Sequence, residues 1–273
     1  MTGNRYPADR IDTSAPHSAR MYDYWLGGKT HYEADAEAAE AVMAMWPGVR
    51  TGARVNRWFM RRAARWLTEK AGIRQFLDVG AGIPTTPNLH QVTQAIAPEC
   101  RVVYADNDPI VLTYSEALLE SSPEGRTVYV HADVTDPVSI LGAPALSGTL
   151  DLTRPVGLSM MALLHFVTDE GRPYDLVRDL MAALPSGSYL MLSHCTPELD
   201  PPAWERLAQL AAARSDITGQ ARSHAEVTRF FDGLELLEPG VVVPHRWHPD
   251  GDTSVADLTD AEVSLYAGVA RKP

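Results

Sequence analysis

The chain has 273 residues, with 24 Lys and Arg against 35 Asp and Glu, a formal net charge of −11. A compact chain of this length buries roughly 73% of the surface its unfolded form exposes, so no metal or disulfide staple is needed for a core. Its length fits one large domain with an appendage or two small ones. With 45% hydrophobic and 22% charged residues it reads as globular rather than disordered. No apolar run reaches the roughly 20 residues of a membrane span, and the N-terminal stretch lacks a signal-peptide core. Cys100 and Cys195 are too few for a disulfide framework or a cysteine zinc site, so a cytoplasmic setting is expected. The acidic balance argues against nucleic acid as partner, because such binding rests on phosphate neutralisation.

Residues 1–74 carry 12 basic and 8 acidic side chains, a balance of +4, and residues 75–273 carry 12 and 27, a balance of −15. Residues 1–20 read as a polar arm, either laid over the body or disordered. A helix is predicted over 33–46, stopped by Pro47 and Gly48. The clearest amphipathic helix is 50–70. Arg50, Arg54, Arg57, Arg61 and Arg65 share one side, and Val55, Phe59, Ala63, Trp66 and Leu67 the other. Beyond Gly72, strands are predicted at 75–79, 101–105, 127–131, 156–163, 188–193, 234–243 and 263–270. Helices are predicted at 87–97, 109–120, 173–184, 202–214 and 223–232. Strands alternating with helices make an α/β fold with a mostly parallel sheet covered on both faces. A polar loop, 244–260, joins the last two strands, which suits antiparallel pairing.

Chemistry concentrates at three successive strand ends. Phe76-Leu77-Asp78-Val79 runs into Gly80-Ala81-Gly82-Ile83-Pro84-Thr85, a buried strand breaking into a glycine turn. Thr86 is then the expected helix cap and Pro87 the first helical residue. A dinucleotide fingerprint requires a third glycine where Thr85 stands, which counts against a nicotinamide site. The second strand ends in Asp106-Asn107-Asp108-Pro109. Asp106 lies 24 residues beyond Gly82, where an acid can accept both ribose hydroxyls of a nicotinamide or adenosylmethionine cofactor or can instead cap a helix, and Asp108 before Pro109 reads as a helix-capping acid. The third ends in His131-Ala132-Asp133-Val134, where an acid can accept from an adenine amino group and Val134 can pack on the ring; a solvated turn at Asp133 is the alternative. Open α/β sheets bind ligands outside their carboxyl ends, so the three acids converge on one crevice.

The order FLDVGAG (76–82), VVYADNDP (102–109), VHADVTDP (130–137), LLHFVTDE (163–170) and LPSGSYLMLS (184–193) resembles the seven-stranded, class I S-adenosylmethionine-dependent methyltransferases. RMYDYWLGGK (20–29), VNRWFMRR (55–62), FLDVGAGIPTTPN (76–88), FFDGLELLEPG (230–240) and YAGVARKP (266–273) are similar to a bacterial S-adenosyl methyltransferase family formerly grouped as a domain of unknown function. The resemblance spans almost the whole chain. It implies a Rossmann-like sheet with an antiparallel seventh strand, residues 1–72 as a helical lid and 73–273 as the catalytic domain. It also implies Asp78, Gly80 and Gly82 around the methionine part of the cofactor, Asp106 at the ribose, and Asp133 with Val134 at the adenine. Ala81, Pro84, Thr85, Asn107 and Leu163 complete the expected contacts.

The cofactor carries an ammonium, a carboxylate and a sulfonium. Asp78 or a backbone carbonyl can hold the ammonium. Arg57, next to Asn56, is the chosen partner of the carboxylate; the rest of the arginine row reads as a solvated face. Tyr22, Tyr24 and Trp25, followed by Gly27-Gly28-Lys29, form either a lid, with Tyr22 as its contact, or an aromatic anchor. His165 is either the general base or a residue that packs against the cofactor or in the core; Phe166 follows it where related O-methyltransferases often carry an acid. His194 and Cys195 read as a loop histidine and a buried thiol, and His245 with His248 lack further ligands for a metal. The leading expectation is methyl transfer to a small molecule whose pocket lies around 20–32 and 197–222. A non-catalytic cofactor sensor and a nicotinamide oxidoreductase are the alternatives.

Overall fold

The structure, a computed structural model, describes residues 11–111, 121–214, 216–248, 255 and 257–273. Seven strands form one sheet: β1 (Gln75–Val79), β2 (Arg101–Asp106), β3 (Arg126–His131), β4 (Gly157–Met161), β5 (Tyr189–Cys195), β6 (Glu235–Leu236) and β7 (Leu265–Arg271). Their order is β3-β2-β1-β4-β5-β7-β6. The strands β1 to β5 pair in parallel, and β7 runs antiparallel to both β5 and β6. The expected Rossmann-like methyltransferase sheet with a reversed final strand is therefore present. β1 and β5 are buried along their whole length, which explains their near-continuous apolar sequence.

Alternate strand residues face opposite layers. On one face α3 (Val49–Glu69) lays Phe59, Met60, Ala63 and Leu67 against Phe76, Val102, Met191 and Val269. On the other, Leu77, Val103, Leu158 and Leu190 meet Leu176, Val177 and Leu180 of the helix Pro173–Ala182. The predicted apolar side of α3 is thus the buried one; its Trp66 is half-buried. The helices α1 (Ser18–Leu26) and α2 (Glu33–Met45) bury Met21, Ala38, Ala39 and Val42 with Ala203 of the helix Pro201–Ala213.

Several boundaries differ from expectation for local reasons. The strand predicted at 234–243 shrinks to Glu235–Leu236 and a lone bridge, Val242 to Ala267. Pro239 has no N–H for the ladder, and Gly240 turns the chain at φ +86°. The helix predicted at 87–97 is shorter, Leu89–Gln94, and Asn88 rather than Thr86 is its N-cap; the Asn88 N–H donates to Gln91 Oε1 at 2.7 Å. The segment predicted as strand from 263 begins with a helical turn, Asp260–Val263, capped by Thr259. Short helices at Pro137–Leu141 and Pro144–Ser147 were not expected; Asp136, with Pro137 at N1, starts the first. The predicted helix at 109–120 is described only at 109–111, and the rest, like residues 1–10 of the arm and 249–254 of the polar loop, lies outside the described residues. No helix among the described residues is long and apolar enough to cross a membrane.

Candidate functional site

A cavity with about 830 Å³ of empty space, partly open to solvent, lies at the carboxyl ends of β1, β2 and β4. Its floor begins at the glycine turn. Gly80 has φ +72°, a conformation glycine adopts without cost, and a Cβ there would meet the Leu163 side chain at 2.6 Å. Leu163 reaches that place because β4 ends abruptly: Ala162 takes a left-handed φ of +49° and gives its N–H to Ser193 Oγ at 2.9 Å. Such a conformation in a residue other than glycine costs about 1–2 kcal/mol, and here it carries Leu163 and Phe166 to the cavity.

Two carboxylates face this floor in different states. Asp106 is 7% exposed and accepts from the Gly82 N–H at 2.8 Å and the Asp108 N–H at 2.9 Å. Burial raises its pKa, and those two N–H groups oppose the rise. One N–H holds each oxygen, so the carboxylate is fixed where it lines the cavity. Asp78 has no such backbone support. Burial pushes its carboxyl up to about 6, against the pull of the Ser159 hydroxyl and the Arg57 guanidinium. An acid raised in this way is a ready partner for a cation that enters the cavity.

The arginine row of α3 splits by position. Arg50, Arg54 and Arg65 are exposed, as a solvated face should be. Arg57 instead lines the cavity and donates Nη2 to Thr85 O at 2.5 Å and Pro87 O at 3.0 Å. Its Nε is buried without a hydrogen-bond partner among the described residues. Pro84 and Thr85 therefore lie off the lining, and Thr85 supports Arg57 from behind.

The opposite wall comes from the N-terminal helices. Asn56 Nδ2 donates to Tyr22 Oη at 2.9 Å, and Tyr22 Oη donates to Ala53 O at 3.0 Å. Ser193 Oγ donates to Asn56 Oδ1 at 2.5 Å and accepts from Ala162, so one chain of bonds joins α1, α3, β5 and the end of β4. Burial pushes the Tyr22 phenol up to about 12. The other aromatic residues of the motif act as anchors: Tyr24 bonds Glu40, and Trp25 Nε1 donates to Ala39 O at 3.3 Å. Tyr22, on the same helix, lines the cavity instead. His17, at the N-cap of α1, also lines the cavity. Arg20 clamps this segment to the end of β2 through Asp108, with Nε at 3.0 Å and Nη2 at 3.3 Å. Asp108 also caps the next helix, accepting from Ile110 N at 3.0 Å.

Ala81, Asn107 and Val134 line the cavity as expected, and so does Ala132. Asp133 does not. It accepts from the Thr135 N–H at 2.8 Å, the Thr135 hydroxyl at 2.6 Å and Asn107 Nδ2 at 2.7 Å. Burial raises its carboxyl, but these donors outweigh it and hold the pKa below the usual value. A Thr two residues after an Asp is an Asx-turn signal that the sequence carried.

His165 also lies off the lining. Its Nε2 is 4.0 Å from Cys195 Sγ, its ring packs on Phe166 at 4.2 Å between centroids, and its Nδ1 is buried without a hydrogen-bond partner. Burial, with the neighbouring His194 and Arg222, holds its pKa well below 6.5, so it is neutral at pH 7. His194 is a buried structural residue: Nδ1 donates to Cys195 O at 2.7 Å, and Nε2 accepts from Arg222 Nη1 at 2.9 Å. Arg222, 1% exposed, further binds Leu164 O, Val167 O and the Asp169 carboxylate. It stitches the end of the 197–222 segment to the stretch after β4, a role its sequence position does not signal. His245 faces Asp260 at 3.5 Å and His248 bonds Glu238 O at 2.7 Å, so the two serve separate local contacts.

A family model for S-adenosyl methyltransferases matches residues 4–273. The chain is 54% identical to a DUF574 family protein of Streptomyces avermitilis MA-4680, covering 97% of this chain and 100% of that one, with a TM-score of 0.93. It is 37% identical to a candidate methyltransferase of Thermobifida fusca YX, covering 98% of each chain, with a TM-score of 0.85. An O-methyltransferase family protein of Burkholderia thailandensis shares the fold at 12% identity and a TM-score of 0.51, over 92% of this chain and 63% of that one. No curated protein matches. With the family model spanning nearly every residue of this sheet and cavity, the chain belongs to the S-adenosyl methyltransferase family, as a methyltransferase whose cofactor is S-adenosylmethionine.

Proposed function

We propose that the enzyme methylates a small-molecule acceptor in the cytoplasm, with the cofactor held in the cavity above β1, β2 and β4. The observation that carries this reading is the joint placement of a raised carboxyl, an unpartnered arginine nitrogen and a pre-oriented acid around one glycine turn. These features match the charges of the cofactor one by one. Asp78, raised to about 6 and so largely ionised at pH 7, takes the ammonium. Arg57 turns its free Nε toward the carboxylate. Asp106 accepts from the ribose hydroxyls, and Ala132 with Val134 packs the adenine. Asp133 belongs to the support of Asn107 rather than to direct contact.

The cofactor supplies a methyl group on a sulfonium that is already activated for displacement. What remains for the chain is to hold the acceptor in line and exclude water. Leu163, Phe166, Met60 and Met161 provide an apolar surface beside the turn, and Tyr22 closes it from α1. Tyr22 Oη is committed to Ala53 O and Asn56, so it positions rather than deprotonates. His165 supports Phe166 from behind and lends its packing to this wall. Calorimetry with S-adenosylmethionine and its demethylated product tests the reading. Saturable one-to-one binding is expected for both, with methyl transfer to some member of a small-molecule acceptor panel. Absence of binding, or transfer only to a macromolecule, overturns it.

A further inference from the structure

The end of the sheet opposite the cofactor cavity, at the amino ends of β1, β4 and β5, holds a second one, with about 590 Å³ of empty space that is partly open to solvent. Three arginines from separate segments line it: Arg74 entering β1, Arg154 before β4 and Arg271 at the end of β7. They converge within a part of the chain, 75–273 and its preceding residue, that is otherwise strongly acidic. Arg74 is fixed in place, with Nε on Glu99 at 2.8 Å and Nη1 on Thr68 O at 2.9 Å and Ile73 O at 3.1 Å. Arg271 leans on Glu235 at 3.0 Å. Arg154 makes no side-chain hydrogen bond or ion pair among the described residues, yet its backbone is held. Gln75 Oε1 accepts from Asp151 N at 2.6 Å, and its Nε2 donates to Asp151 O at 3.0 Å and Arg154 O at 3.4 Å.

A second kind of observation points the same way. Tyr189 lines this cavity and is only 8% exposed, with its ring edge-on to Trp66. Its hydroxyl makes no hydrogen bond among the described residues. The Tyr189 hydroxyl opens into the cavity, and Arg154 is exposed beside it with Asp151 as its electrostatic neighbour, so both have donors that a ligand can use. A single planar carboxylate fills one guanidinium fork, whereas donors arriving from several directions suit the spread oxygens of a phosphate.

We propose that this cavity binds a small phosphate-bearing anion at a site separate from that of the cofactor. Inorganic pyrophosphate is the probe, titrated into the full chain by calorimetry in phosphate-free buffer at low salt. Saturable one-to-one binding is expected, undiminished by saturating S-adenosylhomocysteine. Arg154→Gln should weaken it about tenfold and Tyr189→Phe about threefold, as for loss of a charged and a neutral hydrogen bond. Because the Arg154 side chain is exposed and makes no hydrogen bond, with only a solvent-screened attraction to Asp151, its variant should melt within a degree of the wild type and bind S-adenosylhomocysteine normally. No saturable binding, competition by S-adenosylhomocysteine, unchanged affinity in Arg154→Gln, or tighter binding of citrate than of pyrophosphate would each overturn the proposal.

Discussion

The two walls of the cofactor cavity are held by different kinds of contact. The sheet wall is local: Asp78 and Asp106 sit on two adjacent parallel strands, with Asp78 in register with Tyr104, and Gly80 and Gly82 in the turn that follows the first. Their geometry follows from strand pairing and a glycine turn. The helical wall is assembled over long distances. Asn56 and Ser193 are 137 residues apart, Arg20 and Asp108 are 88 apart, and each pair is buried. The sheet wall is therefore rigid before ligand arrives, while the helical wall depends on a few polar bonds. The difference predicts that substitutions in the first act on cofactor affinity and that those in the second act in smaller steps.

The largest effect is expected at Asp106. Asp106→Ala removes the acceptor for both ribose hydroxyls and should weaken S-adenosylhomocysteine binding about 100-fold, on the scale of two charge-assisted bonds. A loss below threefold in calorimetry would move the ribose elsewhere. Next comes pH. Asp78 is raised to about 6 by burial, so below that pH it is neutral in the free protein and must ionise to meet an ammonium. Cofactor affinity should be flat above pH 6 and fall about tenfold for each unit below it. The same raised value means that ionisation of Asp78 opposes folding above pH 6, a cost absent below the ordinary carboxylate range. The cofactor-induced rise in Tm should accordingly be largest above pH 6. A flat affinity down to pH 5 would remove Asp78 from the ammonium. The smallest effect belongs to the helical wall. Tyr22→Phe breaks the bond to Ala53 O and leaves Asn56 Nδ2 unpaired, which should lower cofactor affinity about threefold and Tm by a few degrees. An effect as large as that of Asp106→Ala would erase the contrast between the walls.

The same contrast separates what the sequence made legible from what it did not. The sheet, the glycine turn and Asp106 were readable because each rests on neighbours in sequence or on adjacent strands. The amphipathic pattern of α3 identified its buried face, whereas Arg57 and Arg61 stand out from the exposed members of their row because the loop at 85–87 crosses them and its carbonyls accept from both. The bonds of Asn56, Ser193 and Arg222 were not readable, since each has a partner more than 30 residues away in sequence. Asp133 and His165 differ from these. Neither lines the cavity: Thr135 and Asn107 hold the first, and the second packs on Phe166, which does line it. A side chain's neighbours decided the matter, not its position along a strand.

The most direct test of the cavity assignment compares two ligands in two proteins. S-adenosylhomocysteine carries the amino-acid carboxylate, and 5′-methylthioadenosine lacks it. In the wild type the first should bind more tightly. In Arg57→Met that gap should shrink by about tenfold, the scale of one charged hydrogen bond, with the affinity for 5′-methylthioadenosine unchanged. If Arg57→Met leaves the gap intact, or weakens both ligands equally, the cofactor's carboxylate lies away from α3 and the proposed arrangement is wrong.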